Sequence, residues 1–179
     1  MHFLVKERGR IYERRNEDSN RTFKKEERER YIMVWQEEWD EMRRVAQWTK
    51  SLIPNLRRWM DCVHRRLDYF LTQMLTRHGC FRGYLYRFGK AENDKCLYCK
   101  ISDTVSDTLL VCERWIDERS LLERELGSRV QSVTELVEEM LRSSDRWRAV
   151  QRYVRRTLER KEQEERRPEG RQGAHEQAK

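Results

Sequence analysis

Apolar side chains recur along this chain at intervals of three and four residues, and little between them can stop a helix: 179 residues hold two prolines and seven glycines. A period near 3.6 lines such residues along one face of a helix, so the chain reads as all-α. Ile32, Trp35, Trp39, Met42 and Val45 mark a helix over about 28–50. Ser51-Leu52-Ile53-Pro54 breaks it, because Pro54 suits a first helical turn and pushes Ile53 into extended backbone. Leu56, Trp59, Met60, Val63, Leu67, Phe70, Leu71 and Met74 then carry a second helix over about 54–77, so that 28–77 reads as a helical hairpin. Gly79 stands where a left-handed C-terminal cap is wanted. A short helix follows, with Phe81, Leu85 and Phe88 on one side and Gly89 closing it.

Downstream, Trp115, Leu122 and Leu126 mark a helix ended by Gly127. Ser132 with Glu135 forms a capping box ahead of Leu136, Val137, Met140 and Leu141. Ser144 or Asp145 caps a last helix whose stripe is Trp147, Val150, Val154 and Leu158. The chain therefore divides into a charged, largely disordered arm over 1–27 that turns helical from about Thr22, a helical hairpin region over 28–90, a small loop region over 91–112, C-terminal helices over 113–160 and a disordered tail over 161–179.

With 37% hydrophobic and 40% charged residues, the chain is too polar for a thick core and too apolar for full disorder. Lys and Arg number 39 against 32 Asp and Glu, a net charge of +7. That balance permits a nucleic-acid partner without requiring one, and interleaved signs on helices more often mean a solvated, salt-bridged surface. No apolar run is long enough to span a bilayer, and the N-terminus lacks an apolar core of signal-peptide length. An intracellular protein of the nucleus or cytoplasm is expected, with no membrane partner. Five cysteines in a reducing compartment do not make a disulfide framework.

Three of those cysteines fall together in Cys96-Leu97-Tyr98-Cys99 and Cys112. Two cysteines with two residues between them, and further ligand types in a short loop, is the spacing of a zinc knuckle. Such a knuckle takes a histidine a few residues before its last cysteine, and this chain has Asp107 there. A carboxylate is a harder ligand in a thiolate-rich site, so 91–112 reads as a degenerate knuckle of Cys96, Cys99, Asp107 and Cys112, with zinc as its metal. His78 and Cys80 are the nearest alternative ligands. Without a metal, the cysteines pack as small, weakly polar hydrophobes. His64 reads as a boundary residue of its helix, His78 as a capping residue and Cys62 as structural.

Phe81-Arg82-Gly83-Tyr84-Leu85-Tyr86-Arg87-Phe88 mixes aromatic and basic residues. Through Arg82 and Arg87 it could bind phosphate and stack bases, or it is an amphipathic helix with core aromatics. On the last helix Arg148, Arg152, Arg155 and Arg156 fall near one face, a strip suited to phosphates. No glycine-rich phosphate loop, nucleophile elbow or paired aspartates in a strand context occur. Neither an enzyme nor a small-molecule substrate is expected.

Taken in order, Trp35-Gln36-Glu37-Glu38-Trp39-Asp40, Trp48-Thr49-Lys50-Ser51-Leu52-Ile53-Pro54, Leu71-Thr72-Gln73-Met74-Leu75-Thr76-Arg77-His78-Gly79-Cys80-Phe81, Tyr84-Leu85-Tyr86-Arg87-Phe88 and the cysteine knuckle resemble the C-terminal end of the pol polyprotein of arthropod non-LTR, LINE-type retrotransposons of the R-one clade. Leu136-Val137-Glu138-Glu139-Met140-Leu141, Trp147 and Val150 are similar too, so the resemblance covers roughly 28–160. It implies nucleic-acid handling beside a reverse transcriptase and an endonuclease, neither of which this chain contains. The family's knuckle ligands carry over to Cys96, Cys99 and Cys112, and its histidine falls on Asp107. A glycine usual in the family falls on Arg77.

The expected function is that of a polyprotein fragment without catalytic domains, with weak accessory binding of RNA or DNA. The alternatives are a helical interaction module, self-association included, and a decayed retroelement product without a role.

Overall fold

A computed structural model describes residues 2–165, with side chains from 20 onward. The chain is mostly helical: α1 (His2–Glu41), α2 (Gln47–Leu52), α3 (Leu56–Met60), α4 (Tyr69–Thr76), α5 (Arg82–Arg87), α6 (Ile116–Leu126), α7 (Val133–Arg142) and α8 (Ser144–Glu165). Between α5 and α6 lie a π-helical turn, Asp107–Val111, and a single 3-10 turn, Glu113–Trp115. Two compact units result. One is α1 and the chain on to Val45, with Asn55–Arg57, and the other is Ala46–Pro54 with the chain from Arg58 onward.

In the first unit the helix expected over 28–50 ends at Glu41; in the second, Ala46 in left-handed backbone (φ 52°) precedes α2. Of the stripe of that expected helix Ile32 is buried, while Trp35 is 47% and Val45 61% exposed. The Gln36 carboxamide oxygen accepts from the Leu56 amide at 2.8 Å, and Glu29 pairs with Arg57. The arm expected to be disordered over 1–27 falls within the span of α1, and its side chains up to 19 lie outside the described residues.

The second unit is built on α8. Its stripe Trp147, Val150, Val154 and Leu158 is buried against α4, α6 and α7, which bring Leu71, Met74, Leu122, Leu136, Val137 and Met140. Each fully buried side chain of this size contributes about 1.5–3 kcal/mol. α7 starts as expected: the Ser132 hydroxyl accepts from the Glu135 amide at 3.1 Å, and the Glu135 carboxylate accepts from the Gln131 amide at 2.7 Å. Gly127, at φ 72°, ends α6. The hydroxyl that caps α8 belongs to Ser143 and accepts from the Arg146 amide at 3.3 Å, one residue before the expected cap.

The second helix of the expected hairpin is not continuous. It stops at Met60 and resumes at Tyr69, and Val63 is 98% exposed between them. Asp68 ends the interruption by capping α4, its carboxylate accepting from the Leu71 amide at 2.9 Å. Carbonyls at and within the break take side-chain donors: Arg65 donates to the Trp59 carbonyl at 2.8 Å and the Trp147 indole to that of Arg66 at 3.1 Å. α4 is paired instead with α2, whose Trp48 and Thr49 side chains donate to the Met74 and Leu75 carbonyls at 2.9 and 2.8 Å.

The left-handed cap of α4 is Arg77 (φ 60°), two residues before the expected Gly79. Gly79 (φ 109°) is required for another reason, because a Cβ there would strike the Gln73 side chain. That side chain accepts from the Cys80 amide at 3.1 Å and donates to Glu162 at 2.6 Å.

Candidate metal centre

The loop between α5 and α6 is shaped by backbone bonds that aim four side chains inward. Lys95 and Ser102 form an isolated antiparallel bridge. Within it the Cys96 amide donates to the Ile101 carbonyl at 2.8 Å and the Lys100 amide to the Cys96 carbonyl at 3.2 Å. Lys100 takes left-handed backbone (φ 62°) to close this turn, which sets Cys96 and Cys99 on one side. The chain then enters the π-helical turn, where the Cys112 amide donates to the Asp107 carbonyl, five residues back, at 2.8 Å. Residues five apart on an α-helix stand about 140° apart. The wider turn closes that angle and lets Asp107 and Cys112 face the same point.

One ligand atom from each of Cys96, Cys99, Asp107 and Cys112 lies within 4.8 Å of every other. The Cys96 and Cys112 Sγ atoms are 3.8 Å apart, and Cys99 Sγ lies 3.2 and 3.5 Å from the two Asp107 oxygens. A tetrahedral zinc with Zn–S near 2.3 Å sets two sulfurs about 3.8 Å apart and a sulfur and a carboxylate oxygen about 3.5 Å apart. The four residues thus fit a metal ion by spacing and donor type. Burial first, then hydrogen bonding with Asp107 and Cys96, pushes the Cys99 thiol up to about 12. Burial also raises Cys112 and Asp107. The Cys99 thiol donates to the Asp107 carboxylate, and a metal ion would bind here by displacing the thiol protons.

The cluster is sealed by Trp115, buried against Cys96 and Cys112. The Tyr98 ring meets Trp115 edge-on at 6.1 Å, and the Arg114 and Arg160 guanidinium groups lie 4.9 and 5.5 Å from the Trp115 ring centre. Glu164 accepts from Arg114 at 2.6 Å and from the Tyr98 hydroxyl. Beneath the cluster lies a buried charge network. The Asp103 carboxylate accepts from Lys161 Nζ at 2.7 Å, from the Arg82 amide at 2.7 Å and from the Thr108 hydroxyl at 2.9 Å. The Asp103 and Lys161 side chains are 0% and 3% exposed. Burial works against the Lys161 ammonium, but the charge and hydrogen bond of Asp103, with the nearby Glu165, together hold its pKa above that of ordinary lysine. α5 comes so close here that a Cβ on Gly83 would lie 2.8 Å from the Asp103 carbonyl oxygen.

This last turn of α8 corrects the disordered tail expected over 161–179: Lys161, Glu164 and Glu165 are helical and grip the loop, while 166–179 lie outside the described residues. The network went unforeseen, although the spacing gives one signal. Lys161 continues the stripe of Val154 and Leu158 by three residues, so a lysine there must be buried and paired.

The alternative ligands lie elsewhere. His78 stacks on Tyr84 and does not cap α4, and Cys80 is buried with its thiol 4.0 Å from the Leu158 carbonyl. His64 bonds the Met140 carbonyl at 2.9 Å and sets its ring against Trp147, at the edge of the core.

Of the basic residues, Arg82 is buried with its guanidinium on Glu165 at 3.2 Å, which keeps it from reaching a phosphate. On α8, Arg148 pairs with Asp145, Arg152 with Glu125 and Arg155 with Asp68. Arg156 and Arg87 are exposed, and neither forms an ion pair among the described residues. No described helix is long and apolar enough to cross a membrane. Compared with protein families, with curated proteins and with solved structures, the chain finds no match.

Proposed function

We propose that this chain is a zinc-stapled helical module that binds nucleic acid and carries out no reaction on it. The observation behind this reading is the cluster of Cys96, Cys99, Asp107 and Cys112, whose ligand atoms all lie within 4.8 Å of one another, with the Cys96 and Cys112 sulfurs 3.8 Å apart. Zinc joins the loop to itself and so supports everything packed on it: α5, Trp115 and the end of α8. The nucleic-acid part rests on the net charge of +7, on the exposed Arg87 and Arg156, and on the resemblance to the C-terminal region of retrotransposon pol polyproteins. In this reading Asp107 is a working ligand that replaces the histidine.

Titration of a labelled single-stranded RNA into the zinc-loaded protein at several salt concentrations tests the proposal. With about three phosphates neutralised, the association constant is expected to fall roughly twentyfold between 50 and 200 mM salt. Absence of binding at low salt would remove the nucleic-acid role.

One observation favours a second reading, a helical module for self-association. α1 exposes Tyr31, Met33, Val34 and Trp35 around the buried Ile32, more apolar surface than a solitary helix usually shows to water. A mass that doubles with concentration, together with no RNA binding, would select it.

A further inference from the structure

Three rings form a file on the surface of the second unit. His78, from the turn after α4, lies 4.8 Å from Tyr84 of α5 with a 33° angle between planes, and Tyr84 lies 4.9 Å from Phe88 at 49°. The Arg87 guanidinium stands 5.9 and 5.8 Å from the Tyr84 and Phe88 ring centres. We infer that this file is a stacking platform for the unpaired bases of a single-stranded nucleic acid, with Arg77, Arg87 and Lys90 holding its phosphates. The inference rests on the nucleic-acid reading above and assigns it a face and a strandedness.

Packing does not account for these rings. Phe81 anchors this part of the chain in the core at 1% exposure, whereas Phe88 is 58% exposed. An aromatic ring left in water beside two others has a flat face to offer, and every base has a π-face that can meet it. Paired bases keep their faces inside the duplex, so only an unpaired strand can use such a file.

The charge around the rings fits the same ligand. No Asp or Glu occurs between Asp68 and Glu92, in a chain otherwise thick with acids. Arg77, Arg87 and Lys90 are exposed and form no ion pair among the described residues. The α8 arginines 148, 152 and 155, by contrast, are already held by acids. Arg77, at the end of α4, also lies 5.1 Å from the Trp48 ring centre, a second pairing of a cation with an aromatic ring. The platform is held rigid from behind. The Arg82 amide donates to the Asp103 carboxylate at 2.7 Å and the Gly83 amide to the Asp103 carbonyl at 3.1 Å, fixing the first turn of α5 on the metal loop.

Fluorescence anisotropy with a labelled single-stranded pyrimidine 12-mer RNA and with the corresponding duplex, at equal salt and with the zinc-loaded protein, tests this. The single strand is expected to bind at least tenfold more tightly than the duplex. Phe88→Ala and Tyr84→Ala are each expected to weaken single-strand binding about tenfold and to leave duplex binding unchanged, while Phe88→Trp retains it. Phe88 is exposed, so Phe88→Ala keeps the wild-type melting temperature and the test holds even where Tyr84→Ala disturbs folding. Single-strand binding unchanged in Phe88→Ala overturns the platform and leaves the nucleic-acid reading standing. Equal affinity for duplex and single strand also overturns it. If the wild-type protein binds neither, both fall.

Discussion

Zinc at a hundredfold excess over its dissociation constant is expected to raise the melting temperature of the metal-free, reduced protein by about 5–10 °C. Binding to the folded state alone contributes about 2.7 kcal/mol at that excess, and a chain of this size gains about 2–4 °C per kcal/mol. The gain should be this direct because the four ligand atoms are already gathered within 4.8 Å and the ion has no chain to reorganise. Cys96→Ser and Cys112→Ser should lose the zinc-dependent rise. At position 107 the rise should rank His above Asp above Ala, since imidazole suits zinc among thiolates better than a carboxylate does and alanine leaves a ligand short. Differential scanning fluorimetry with and without a chelator reads all five proteins.

Loss of Lys161 is expected to be as damaging as loss of the metal. Lys161→Ala leaves the Asp103 carboxylate, 0% exposed, without its cation, and breaking one partner of a buried pair costs about 3–5 kcal/mol. The pair itself is a weaker stabiliser than that figure implies, because both charges were taken out of water to form it. The double variant Asp103→Asn with Lys161→Met removes both charges and keeps an acceptor for the Arg82 amide. It should therefore recover a large part of the loss seen in Lys161→Ala. Urea unfolding of the wild type and both variants measures this, and a Lys161→Ala midpoint equal to wild type would show that the network does not hold the loop.

Helices α6 to α8 were legible because each carries its own signals: Gly127 at a helix end, a Ser132–Glu135 box, and a stripe at Trp147, Val150, Val154 and Leu158 that the core buries. The break between α3 and α4 was not, since Val63 and Leu67 extend the helical period through it. What overrides that period lies about eighty residues away: the Trp147 indole and the Gln151 amide take the Arg66 carbonyl. Local sequence cannot encode such a donor.

The three cysteines of the centre were equally plain from spacing. The sequence places Asp107 at the fourth position of the cluster, while only the π-helical turn shows that its carboxylate faces the thiols. The polar end of α8 looked like a tail for a related reason. Its Lys161 and Glu164 count as solvent-loving by composition, yet both are spent on Asp103 and Arg114, in the segment between α5 and α6.

Zinc content of the protein purified under reducing conditions tests the central claim most directly. One tightly held zinc per chain, absent from Cys96→Ser, is the result expected from the four-ligand cluster. Wild-type protein that holds no zinc after reduction and incubation with the metal would contradict it.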